Sequence, residues 1–114
     1  MSKTDLFIAR QIIETVNKAY EIDLASKSRD RLLVYLRFIC YHILRSRYPK
    51  MTLVDIGIVF KRDHATVIYG LTKYAELKDY EDFKEMEFGT MKLLSFKVDT
   101  AKIYCNPITY PLYV

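Results

Sequence analysis

Four residues with chemistry to offer stand in a row, Lys61, Arg62, Asp63 and His64, between the apolar stretches "DIGIVF" and "ATVIYG". Such a tetrad can be a solvated turn, half of a metal or catalytic site, or the leading edge of a helix that meets something charged. Asp63 and His64 could form an acid/base pair. Neighbours at a helix start point apart, however, and no nucleophile with an orienting partner stands in the pattern. Cys40 and His42 are two apart on a predicted helix and diverge. With two His and two Cys in the whole chain, the donor count argues against a zinc site. The reading is therefore non-enzymatic, with no cofactor and no metal. Cys40 is assigned to core packing, and Cys105 is a tail residue.

What remains is charge. The net charge is only +4, but residues 27 to 62 carry nine Lys and Arg (27, 29, 31, 37, 45, 47, 50, 61 and 62) against Asp30 and Asp55, a local net of +7. The flanking segments are mildly acidic. A basic block of this kind is an electrostatic footprint for a polyanion, and its bland alternative is a solvated basic face without a partner. No apolar run reaches membrane-spanning length, so no membrane role is expected. The start, "MSKTDLFIARQIIE", has Asp5, Arg10 and Glu14 inside its apolar pattern, unlike a signal peptide. Two cysteines make no disulfide framework, and a cytoplasmic setting is expected.

Helical periodicity dominates the chain. A first helix is predicted from Asp5 to Tyr20, with Leu6, Ala9, Ile13, Val16 and Tyr20 on one face. A second is predicted from Ser28 to Arg47, its buried stripe made of Leu32, Leu33, Leu36, Ile39, Cys40, Ile43 and Leu44. Its opposite ridge would carry Arg37, Tyr41 and Arg45 outward. Pro49 closes it. A short third helix spans Leu53 to Phe60, with Thr52 as N-cap and Asp55 in its first turn. Gly57 inside it would be explained by close approach of a neighbouring helix. A fourth starts behind the Asp63 cap and runs to Leu77. Val67, Leu71, Tyr74 and Ala75 form its packed stripe, with His64, Ala65, Thr66, Tyr69, Thr72 and Lys73 outside.

The third and fourth helices are joined by Lys61-Arg62 and the capping Asp63 alone. Two helices so linked form a helix-turn-helix, whose second helix presents its N-terminus to a major groove. A fifth helix is predicted from Tyr80 to Leu94. The remainder, 96–114, is rich in β-branched and aromatic residues and reads as an extended tail. It would cover the helices or dock a partner, whether another protein or a second copy. The domain division is thus 1–95 and 96–114, in an all-α bundle of about five helices.

On these residues the segment "LVDIGIVFKRDHATVIYGLTKY" resembles the signature of the C-terminal DNA-binding domain of the bacterial replication initiator DnaA, approximately "LPEIGxxFGGRDHTTVxHAxxKI". Ile56-Gly57, Phe60, Arg62-Asp63-His64, Thr66-Val67 and Lys73 fall in place, and the likeness extends upstream over roughly residues 10 to 78. It implies a Trp-repressor-like helix-turn-helix that binds double-stranded DNA. Arg37 would be the family's minor-groove arginine. Arg62, Asp63 and His64 would sit at the DNA-facing start of the recognition helix. Thr66, with Lys50 and Lys61, would contact phosphates. Three departures bear on base preference. The turn is one residue shorter than "GGRDH", the first threonine of the family's pair is Ala65, and the family's later histidine is Tyr69. Ala65 can still touch a thymine methyl. No G-x-x-x-x-G-K-[ST] phosphate loop occurs, so the expectation is a DNA reader without an ATPase, suited to a phage or mobile-element regulator of replication or transcription. The rival expectation is a protein–protein module that keeps the fold and has lost DNA binding.

Overall fold

The computed structural model describes residues 3–101, with side chains of residues 5–94. Its five helices are α1 (Lys3–Tyr20), α2 (Arg31–Arg47), α3 (Leu53–Phe60), α4 (His64–Leu77) and α5 (Glu81–Ala101). Among the described residues there is no strand, and no helix is long and apolar enough to cross a membrane. The all-α expectation is met. The fifth helix runs seven residues past its expected end at Leu94. The rest of the expected tail, 102–114, lies outside the described residues.

The helix starts are set locally. Asp30 caps α2 by accepting from the Leu32 amide. Thr52 and Asp55 form a reciprocal capping box on α3, each side chain accepting from the other's amide. Two orphan donors are thereby satisfied within four residues. The Thr52 cap agrees with the sequence expectation, whereas the Asp30 cap was not foreseen and α2 starts three residues later than expected.

α2 is the central element. It packs against α3, α4 and α5, while α1 closes the bundle against α3 and α5. Nine consecutive or near-consecutive residues of α2 are buried, Leu33, Leu36, Arg37, Phe38, Ile39, Cys40, Tyr41, Ile43 and Leu44. The expected outward ridge is therefore wrong at two of its three positions. A helix enclosed on several sides has no free face at its middle, so Tyr41 is 1% exposed and Arg37 8%. Only Arg45, near the open end, is exposed.

Tyr41 meets the Phe60 ring edge-on at 4.8 Å and lies against the backbone of Gly70. A Cβ at Gly70 would fall within 3.0 Å of the Tyr41 ring, closer than real Cβ contacts come. Gly70 is thus what lets α4 approach α2. Val67 and Gly70 are the buried positions of α4, and Ala75 is exposed rather than packed. Tyr74 stacks on His42 at 4.0 Å and donates to Glu87, which ties α2, α4 and α5 together.

Candidate nucleic-acid interface

α3, the turn and α4 set the geometry of the tetrad. α3 ends at Phe60, whose side chain is fully buried. Lys61 then adopts a left-handed conformation, φ 58° and ψ 45°, and its amide returns to the carbonyls of Gly57 and Ile58. The Arg62 amide also donates to Gly57, at 2.7 Å. A Cβ at residue 57 would collide with the Arg62 carbonyl. The close approach at Gly57 is therefore made by the turn that follows, not by a neighbouring helix as expected. The turn is closed by putting a lysine where the left-handed region favours glycine.

Asp63 caps α4. Its carboxylate accepts from the Thr66 amide at 2.9 Å and from the Thr66 hydroxyl at 2.8 Å. These bonds, the amide's first, hold its carboxyl below the usual carboxylate range. Asp63 and Thr66 are thus partnered with each other in the free protein. His64, Ala65, Thr66, Tyr69 and Thr72 are exposed as the pattern led one to expect, while Lys73 is half-buried. Ile68, 45% exposed, and Tyr69, 56% exposed, add apolar surface. Lys73 sits over the Tyr69 ring at 5.6 Å and pairs with Glu76. Lys50 and Lys61 are exposed. The first turn of α4 carries no carboxylate of its own, and the Asp63 cap already sets a negative charge against its amides.

Two of the expected contact residues bond to backbone carbonyls of the protein itself. The Arg37 guanidinium turns inward and donates through Nε to Leu24 O at 2.9 Å, through Nη1 to Ser28 O at 2.8 Å, and through Nη2 to Ser26 O. Burial, and then the charge of Arg62, lowers its pKa from the usual arginine value. Arg62, half-buried, turns back from the α4 start. It donates to the carbonyls of Ala25, Phe60 and Lys61, each at 3.2 Å, and also to Ser26 O. The structure therefore brings Lys61, Asp63, His64, Ala65, Thr66 and Tyr69 to one exposed end. It places Arg37 and Arg62 behind, under the loop that joins α1 to α2. That loop exposes Lys27 and Arg29, basic residues that the reading of individual contacts passed over. Their membership in the basic block was the available signal.

The family model for the bacterial dnaA protein helix-turn-helix matches residues 9–73, from α1 through most of α4. The chromosomal replication initiator protein DnaA of Mycoplasma pneumoniae is 34% identical over 74 residues, covering 62% of this chain and 17% of that protein. The protein of the same name from Chloroflexus aggregans is 38% identical over 72 residues, covering 60% of this chain and 15% of that protein. The chain thus spans under a fifth of the length of these relatives. No solved structure matches it.

Proposed function

The chain belongs to the bacterial DnaA helix-turn-helix family, and from that premise we propose that it binds double-stranded DNA through the exposed start of α4, in the service of replication or transcription control. The observation that carries this reading is the exposed end itself. A short, capped α3 and a turn closed by Lys61 project His64, Ala65, Thr66 and Tyr69 from a packed bundle. A recognition helix entering a major groove needs that arrangement.

Within this reading Lys50 and Lys61 supply phosphate contacts, and His64, Ala65 and Tyr69 supply contacts to base edges and methyl groups. Thr66, whose hydroxyl proton is held by Asp63, can meet DNA through its methyl group or as an acceptor. Asp63 shapes the helix start. Arg37 and Arg62, bound to loop carbonyls, support the surface from behind.

Selection from random duplexes should return a preferred site. His64→Ala should then weaken binding to that site by about 1–3 kcal/mol, with little change on unrelated duplex, because non-specific binding rests on the phosphate contacts. Unchanged affinity for the selected site would remove α4 as the reading element.

A protein-docking module remains the rival on one observation. Val54 and Ile58, one turn apart on α3, are 54% and 57% exposed, beside a groove lined by Arg10, Ile13, Glu14 and Val59. A chain that shows salt-insensitive capture of a protein and no affinity for duplex DNA would favour it.

A further inference from the structure

The loop between α1 and α2 has no regular structure from Lys27 to Asp30, yet its inner side is closely held. Four of the five carbonyls from Leu24 to Ser28 accept from a guanidinium. Arg37 takes those of Leu24, Ser26 and Ser28, using all three of its nitrogens. Arg62 takes those of Ala25 and Ser26. The Ser26 oxygen is shared by both cations. Neither guanidinium forms an ion pair with a carboxylate among the described residues.

Two like charges side by side repel, and a purely structural anchor could be made from one arginine or from an arginine with an acid. What the pair adds is connection. Arg37 issues from α2 and Arg62 from the turn before α4, so one loop is held by two elements. A planar fork of donors fixes the direction of several peptide groups at once, which a lysine cannot do. With its carbonyls turned inward, the loop leaves Lys27 and Arg29 exposed.

We propose that Arg37 and Arg62 are positioning residues for DNA recognition, clasping the carbonyl side of loop 24–28 so that Lys27 and Arg29 stay in register with the start of α4. The proposal rests on the DNA-binding reading above. A surface held in register before contact loses less freedom on binding, so the loop and the recognition helix engage the duplex as one body.

The test has an arm that needs no DNA. In the free protein the amides of Leu24, Ala25 and Ser26 are hydrogen-bonded to Asn17 Oδ1, Asp23 Oδ1 and Asp23 O. Arg62→Met and Arg62→Lys should each speed hydrogen exchange at these amides by roughly tenfold while core amides of α2 keep their protection. In the second arm, Lys27→Ala with Arg29→Ala in the parent should reduce the salt dependence of binding to the selected duplex by about 1.8 in slope, at about 0.9 per phosphate. In the Arg62→Lys protein the same two substitutions should remove less than half of that. If Arg62→Met does not fold, Arg62→Lys carries both arms. If Arg62→Lys behaves as the parent in both, Arg62 acts by charge alone and the clasp is overturned. Faster exchange with full additivity of the loop substitutions would also overturn it, leaving a structural anchor only. A parent whose binding ignores salt sinks the DNA-binding reading instead, and the exchange arm still decides whether the arginines hold the loop.

Discussion

Lys61 is the residue on which stability and function pull in opposite directions. Its left-handed backbone, φ 58°, closes the turn before α4. A side chain in that region costs on the order of 1 kcal/mol that glycine does not incur. Lys61→Gly should therefore raise unfolding free energy by up to about 0.5 kcal/mol, after allowance for the greater freedom of glycine in the unfolded chain. It should also flatten the salt dependence of duplex binding by about 0.9 in slope, since one phosphate contact is lost. Denaturant titration and salt titration of the same variant check the two signs. Asp63 gives a pH signature. Its carboxyl is held below the usual range by Thr66, so its cap is fully present above the unfolded carboxylate value, about 3.9, and is lost as pH falls through the lower folded value. An asparagine cap at this position does not titrate there. The melting difference between parent and Asp63→Asn should be constant at neutral pH and shrink in acid, with a small amplitude because the group is exposed. The caps Thr52 and Asp63 were legible in the sequence because their partners lie within three residues. The partners of Arg37 and Arg62 were not. They are backbone carbonyls, of the α1–α2 loop and, for Arg62, of its own turn as well, and a backbone acceptor leaves no trace in the choice of side chain.

At the scale of elements, glycines separate contacts that matter from those that do not. Gly57 faces the Arg62 carbonyl, and a Cβ there would meet main chain that cannot swing aside. Gly57→Ala should cost about 1–3 kcal/mol through overpacking, despite the better helix propensity of alanine. It should also impair DNA binding, because the turn must open. Gly89 on α5 is exposed, and a Cβ would sit 3.6 Å from the Tyr20 hydroxyl, an ordinary contact. Gly89→Ala should stabilise by about 0.5–1 kcal/mol with no effect on binding. Thermal melts of the two variants should shift in opposite directions. The helices themselves were legible because four of the five show apolar spacing against a local cap or breaker. What failed was the assignment of faces on α2. Periodicity marks a stripe facing a core, but a helix surrounded by three others is buried on its polar ridge as well. There a tyrosine can pack and an arginine can bond to carbonyls without changing the pattern. The end of α5 was missed for a related reason: β-branched and aromatic residues after Leu94 lower helix propensity without forbidding a helix.

For the whole molecule the question is how much of the basic block remains available. The sequence places nine Lys and Arg between residues 27 and 62, and a naive count would have most of them neutralise phosphates. The structure engages several internally. Arg37 and Arg62 hold loop carbonyls, Arg31 pairs with Asp82 and lies over Tyr35, and Arg45 donates to Met51 O. Lys27, Arg29, Lys50 and Lys61 are exposed and form no ion pair among the described residues. At about 0.9 per phosphate, these four predict a slope of log K against log salt near −3.6 on duplex DNA. The number discriminates. A slope near zero would end the polyanion reading, and with it the DNA-binding function. A slope approaching −6 would mean that arginines bonded within the free protein turn to phosphates on binding, and with the clasped pair among them the loop would be remodelled by DNA rather than set in advance. Hydrogen exchange of the complex distinguishes the last case, because the Leu24, Ala25 and Ser26 amides should stay protected only if the clasp survives contact.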